Sequence, residues 1–299
     1  YTAVQWSDHL YLGTNQGVFV RTAFQNGHSE FQLVEGTQGQ VWDLQVFDDQ
    51  LICGHNTGTF LIDKNGQANK ISEVTGGWCT EQVPGNPDLL LQSTYTGLIL
   101  FEKNAARRWQ FARRITGFAE PLKKTAFDSV GNLWGVHPHR GLFRLRQSSD
   151  WSKVVEYRAY AREDGLPSDF KLGLARIGGH IVVNADPGPC RAEVVADKVL
   201  IFPLSKPEYP QKWLPGAGND YFILANNHIR LMSGKKQIDL LLSLVPGFEN
   251  IVTLRPGVYL FCLEDGFALL EQSTNKNQGN QRSAQPIIRL IETPDAAWV

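Results

Sequence analysis

Apolar runs of strand length alternate along the whole chain with polar clusters that usually carry Gly, Asn or Asp. Runs this short, rich in Val, Ile, Phe and Tyr and bounded by turn residues, predict β-strands rather than helices. One pattern recurs: a strand-like run, a polar turn that usually contains Gly, and a second strand. It reads LYLGTNQGVFVR (Leu10 to Arg21), LICGHNTGTFLID (Leu51 to Asp63), LLLQSTYTGLILFE (Leu89 to Glu102), LWGVHPHRGLFRLR (Leu133 to Arg146) and VYLFCLEDGFALLE (Val258 to Glu271). Weaker copies are HIVVNADPGPCRAEV (His180 to Val194) and YFILANNHIRLM (Tyr221 to Met232).

The turn glycines Gly17, Gly58, Gly97 and Gly141 are 41, 39 and 44 residues apart, and Gly266 follows Gly141 by 125. Three more steps of about 42 residues fill that last interval, which is the repeat length of propeller blades. Seven units result. Within one unit VWDLQVF, QLICGH, TFLID and ANKISEV give four strands, with the alternation of apolar and polar residues expected to be strongest in the middle pair. The fold predicted is therefore all-β, a seven-bladed β-propeller with four-stranded blades over residues 1–285. Residues 286–299, beginning PIIRLI, are either a closing strand or the start of a following β-sandwich domain.

Composition agrees with one large β domain. The 299 residues are 42% hydrophobic, with 8 Trp, 8 Tyr and 16 Phe, enough to bury a core without staples. The formal net charge of -1 offers no footprint for a phosphate backbone, so no nucleic-acid partner is expected. The one basic concentration, Lys103, Arg107, Arg108, Arg113 and Arg114, reads as a solvated outer strand and turn. Cys53, Cys79, Cys190 and Cys262 lack metal-ligand spacing and read as buried thiols, a Cys53 to Cys79 bridge being the alternative. The longest apolar stretch, Leu240 to Phe248, is cut by Pro246 and too short to span a bilayer, so no direct membrane insertion is expected. The chain opens at Tyr1 in strand-like sequence and reads as a processed or excised piece.

In a propeller the turns between strands two and three, and the links from strand four to the next blade, emerge on one face. That face gathers His55, Asn56, Tyr95, His137, His139, Arg140, Asp186, Asn227, Glu264 and Asp265 from the turns, with Trp42, Trp78 and Lys124 among the blade entrances. Flat rings and forked donors suit sugar rings and hydroxyls, which nominates Trp42, Trp78, Tyr95, His137, His139 and Arg140 as ligand-binding residues. The two indoles serve equally as packing between blades, and the His137–Arg140 turn equally as an ordinary exposed one. No nucleophile elbow, zinc motif, P-loop or EF-hand occurs, so no catalytic residue, metal or cofactor is assigned and the chain is not read as an enzyme. The competing enzyme reading, a propeller glycosidase or lyase, requires paired carboxylates in a deep pocket, for which Asp43, Glu81 and Asp186 are the candidates.

LYLGTNQGVFVR, DSVGNLWGVHPHRGLFRL (Asp128 to Leu145) and EDGLPSDF (Glu163 to Phe170) together resemble the two-component regulator propeller repeats of periplasmic sensor regions in Bacteroidetes hybrid two-component systems and other carbohydrate-responsive regulators. Asp128, Gly131, Asn132, Leu133, Trp134, Gly141 and Leu142 carry the repeat core, and Gly165, Leu166 and Pro167 the link. Blades one and four match well, two and three in part, and five and six barely. The resemblance implies a non-catalytic, periplasmic sensor propeller within an inner-membrane-anchored regulator. Its expected partners are an oligosaccharide ligand and other domains of the same receptor. A protein-interaction scaffold is the alternative.

Overall fold

The computed structural model describes residues 2–21, 31–206, 210–225, 228–242, 244–245, 249–263, 266–272 and 287–292. They form seven sheets of four antiparallel strands, a seven-bladed β-propeller with almost no helix. Blade one holds β1–β4 (Thr2–Trp6, His9–Gly13, Val18–Arg21, Phe31–Leu33) and blade two β5–β8 (Val41–Phe47, Gln50–His55, Gly58–Ile62, Ala68–Ser72). Blade three holds β9–β12 (Cys79–Gln82, Leu89–Thr94, Gly97–Lys103, Trp109–Ile115) and blade four β13–β16 (Lys124–Phe127, Leu133–Val136, Leu142–Gln147, Val154–Tyr160). Blade five holds β17–β20 (Gly173–Ile177, His180–Asn184, Cys190–Val195, Lys198–Pro203). Blade six holds β21–β24 (Lys212–Pro215, Tyr221–Ala225, His228–Ser233, Lys236–Leu240) and blade seven β25–β28 (Ile251–Arg255, Val258–Cys262, Gly266–Glu271, Ile287–Glu292). Every sheet uses four consecutive strands.

The chain divides into two compact units, Tyr1–Lys212 with blades one to five and Trp213–Val299 with blades six and seven. In the first, the innermost strands β1, β5, β9, β13 and β17 lie side by side in that order. Apolar clusters fill each boundary: Leu91, Leu98 and Leu100 of blade three meet Phe127, Leu133 and Phe143 of blade four. Leu142 and Tyr160 of blade four meet Leu174 and Ile181 of blade five in the same way. In the second unit Phe222 of blade six packs on Tyr259 and Phe261 of blade seven.

This packing corrects one expectation. The middle strands of blades two and three do not alternate: all five residues of β7 are buried, and so are five of the six in β6 and in β10, whereas β23 of blade six keeps an alternating pattern. Blades two and three have a neighbour on each face within the first unit, so their middle strands read as continuous apolar runs, as strands buried on both sides do. In blade four the exposed residues gather on the outer strand β16, where Val154 and Tyr160 are buried and the residues between them are exposed.

The repeat core is a brace for the first turn of the blade. Asp128 Oδ1 accepts the Val130 and Asn132 backbone N–H groups at 3.1 and 2.9 Å, and Oδ2 accepts Asn132 Nδ2 at 2.7 Å and the indole N–H of Trp134 at 3.0 Å. Gly131 supplies the positive φ that this turn requires, 89°. Trp134 is wholly buried, so its N–H needs an acceptor, and Asp128 is that acceptor. Asp63 repeats the device in blade two, accepting the Asn65 and Gln67 N–H groups at 2.9 Å each. The link residues Gly165 (φ 101°) and Leu166 follow a single 3-10 turn, Arg162–Asp164, and Leu166 is buried between blades four and five.

All four thiols are free, with Cys53, Cys79 and Cys190 buried, so no Cys53 to Cys79 bridge forms. Burial pushes the Cys79 thiol up to about 11. The basic cluster is largely engaged: Lys103 pairs with Asp48 and, at 3.1 Å, with Asp88, and Arg107 meets Asp88 at 2.9 Å. Ile287–Glu292 pairs along Gly266–Glu271 as the fourth strand of blade seven. Asn227, Glu264, Asp265, Pro246 and Pro286 lie outside the described residues. No helix among the described residues is long and apolar enough to cross a membrane.

Candidate functional site

The turns between second and third strands place the predicted residues together because each hairpin glycine closes at the same end of its blade. Gly58, Gly97 and Gly141 have φ of 148°, 107° and 79°, so the residues before them project from that end. Two clusters follow, one on blades two and three, the other on blade four.

The first is aromatic. Trp42 stands near the start of β5, Trp78 immediately before β9 and Tyr95 in the turn between β10 and β11. Their rings meet edge-on, with centroids 6.2 Å apart for Trp42 and Trp78, 6.4 Å for Trp42 and Tyr95, and 5.0 Å for Trp78 and Tyr95. The Trp42 indole N–H donates to the Tyr95 hydroxyl at 2.8 Å. All three side chains are half-buried, leaving part of each ring surface open. The Trp78 indole N–H is shielded from water yet has no acceptor among the described residues. Asn56 Oδ1, in the blade-two turn, is a buried acceptor in the same condition. Leaving a buried polar group unpaired costs about 1–3 kcal/mol, so these atoms mark a place where the fold tolerates an unmet bond.

The second cluster is charged. His137 is 8% exposed, and its Nδ1 accepts the backbone N–H of His139 at 3.0 Å while Nε2 faces Glu120 at 3.4 Å. Arg140 pairs with the same carboxylate at 2.6 Å. Burial lowers the His137 pKa below the usual histidine value, with Arg140 and His139 adding to that and Glu120 opposing it. The turn residues thus fall into two clusters, and Arg140 is already paired within its own. Glu120 was missed from the sequence. Its signal was its place in GFAEPL, a link from one blade's fourth strand to the next blade's first. No hydrogen bond, ion pair or ring contact joins the two clusters among the described residues.

Of the carboxylates considered for catalysis, Asp186 is an exposed turn residue of blade five, whereas Asp43 and Glu81 stand on the neighbouring strands β5 and β9. Asp43 is engaged: it accepts the Thr80 N–H at 2.7 Å and the Gln45 amide at 3.0 and 3.1 Å. Glu81 is pushed up to about 7 by burial, with Asp43 adding to the rise and Lys124 and Arg176 opposing it. No group of three or more metal-ligating side chains arranged to hold an ion occurs among the described residues.

No protein-family model and no curated protein matches the chain. Its fold is similar to several solved structures. One is PorZ, an essential surface component of the type-IX secretion system of Porphyromonas gingivalis, at 14% identity and a TM-score of 0.63, over 98% of this chain and 38% of that one. Another is the extracellular domain assigned to the hybrid two-component system BT3049 of B. thetaiotaomicron, at 13% identity and a TM-score of 0.61, over 96% of this chain and 43% of that one. A third is a catalytically inactive virginiamycin B lyase from Staphylococcus aureus, at 10% identity and a TM-score of 0.57, over 87% of this chain and 90% of that one. The chain spans less than half the length of the first two. At such identities the likeness is one of fold.

Proposed function

We propose that this chain is a non-catalytic sensor propeller of an extracytoplasmic, periplasmic regulator anchored in the inner membrane, and that it detects glycan fragments on the face carrying Trp42, Trp78 and Tyr95. One observation carries the reading: three half-buried aromatic rings beside an indole N–H that lacks an acceptor. A sugar supplies an apolar ring face for the open parts of these three rings. His137, His139 and Arg140, steadied by Glu120, form the polar side of the same face. The fold likeness to an extracellular domain of a hybrid two-component system supports the assignment to a receptor.

A protein-docking propeller is the second reading, supported by the fold likeness to a secretion-system surface component. Calorimetry of the chain against host and plant oligosaccharides separates the two. Binding that is lost in the Trp78→Ala/Arg140→Ala double variant, at unchanged melting temperature, supports the sensor. Binding that survives the double variant refutes this face, and turnover of any oligosaccharide refutes the non-catalytic assignment. Absence of any saccharide binding, with a neighbouring receptor domain captured instead, favours docking.

A further inference from the structure

The edge that blades two to five turn toward the propeller axis carries charge that the aromatic face leaves unused. Four successive innermost strands contribute one charged side chain each: Asp43 from β5, Glu81 from β9, Lys124 from β13 and Arg176 from β17. Asp43 is saturated by Thr80 and Gln45. Among the described residues, the Glu81 carboxyl receives only the weak Cys79 thiol, at 3.8 Å. Arg176 is exposed and, among the described residues, has no carboxylate within ion-pair distance, although it stands close enough to act on Glu81.

These strands end at a cavity of about 510 Å³ on the side opposite the aromatic trio, beside the Val83–Pro87 turn. Glu81 and Arg176 are the charged groups of its lining, with Gln45, Thr80, Gln82 and Asn86 polar beside them, and Phe47, Val83 and Phe127 give it an apolar wall. Every lining residue belongs to blades two to five. The volume suits a ligand of about one ring, within the usual range of small-molecule sites.

We propose that this cavity binds a small organic carboxylate, held by the Arg176 guanidinium and by a hydrogen bond from the Glu81 carboxyl. The sign of the ligand follows from the charge count. Glu81 and Arg176 are the charged groups that line the cavity, and with Glu81 protonated the Arg176 guanidinium leaves the wall positive. A guanidinium without a carboxylate partner is a ready fork for an incoming one. The hydrogen-bond donor follows from chemistry: a carboxylate cannot lie against an ionised Glu81, but it accepts a bond from the neutral acid, as when two carboxyl groups share one proton. Glu81 holds its proton to about pH 7, because burial and Asp43 outweigh Lys124 and Arg176. Cys79, on its own strand, stays a neutral thiol at that pH. Binding is therefore coupled to proton retention, and affinity falls about tenfold between pH 6 and pH 8.

Calorimetry on this chain tests the idea, with benzoate and glucuronate as probes and benzyl alcohol and glucose as their neutral counterparts. At least one carboxylate is expected to bind at pH 6, about tenfold more weakly at pH 8, with no binding by its neutral counterpart. Arg176→Gln abolishes the signal at both pH values. Glu81→Gln, which keeps a donor and cannot ionise, binds equally at both. The proposal is overturned if neither carboxylate binds at pH 6, if a neutral counterpart or benzylamine binds as tightly, or if the Arg176 variant still binds. A pH effect that persists in the Glu81 variant also overturns it. Since Arg176 is exposed and pairs with no carboxylate among the described residues, its variant should melt with the parent; the neutral counterparts test the proposal even if it does not.

Discussion

The Trp42 indole N–H of blade two donates to the Tyr95 hydroxyl of blade three at 2.8 Å, tying the two blades at the end where the hairpins emerge. Trp78 lies edge-on to both rings and shares in neither end of that bond. Tyr95→Phe removes the acceptor and leaves the Trp42 N–H unpaired, which should cost about 1–2 kcal/mol. The shift of the urea midpoint measures it. An unchanged midpoint shows that the bond does not hold the blades.

Asp128 makes four hydrogen bonds, one of them to the wholly buried Trp134, whereas Asp63 makes two, both to exposed turn backbone. Asp128→Ala should therefore cost about 2–4 kcal/mol and Asp63→Ala about 1 kcal/mol. Denaturant titration of the two variants gives the comparison, and equal losses contradict the role of the indole.

The hairpin glycines are required for two reasons that substitution separates. A Cβ on Gly141 would stand 2.1 Å from the Tyr160 carbonyl oxygen, and one on Gly97 2.4 Å from that of Phe118. Gly131 has a positive φ as well, but open space around it. Gly131→Ala meets only backbone strain, about 1 kcal/mol, while Gly97→Val and Gly141→Val add a clash with backbone and should lose roughly 3 kcal/mol or more. Melting curves that rank the three otherwise refute this account.

Glu81 gives stability a pH dependence of definite sign. Its carboxyl keeps its proton to about pH 7 in the fold against an ordinary value of 4.5, chiefly because it is buried. Between those values the folded chain binds more protons than the unfolded one, so this group's contribution falls as pH rises through the window and is level above it. Glu81→Gln removes the loss. The variant should match the parent at pH 4 and exceed it at pH 8 by about 1–2 kcal/mol, the partial exposure of Glu81 reducing what full burial would give. Parallel stability curves from pH 4 to 8 contradict the assignment.

The sequence alone determined the blade count and the strands within each blade, because strand-length apolar runs and turn glycines are properties of a few consecutive residues. Even the weak copies in blades five and six held: His180–Asn184 turns into Cys190–Val195, and Tyr221–Ala225 into His228–Ser233. It also gathered Trp42, Trp78 and Tyr95, since a repeat places corresponding positions at one end of every blade. Tertiary structure decided the rest. The middle strands of blades two and three carry no alternation because neighbouring blades cover both their faces. The Asp128 to Trp134 motif, the most recognisable stretch of the chain, braces a first turn rather than the aromatic face. Glu120 beneath His137 and Arg140, and Arg176 across from Glu81, are partners brought together from different strands and links. Such pairings depend on which side chains adjoining blades turn toward each other, and local patterning carries no record of that.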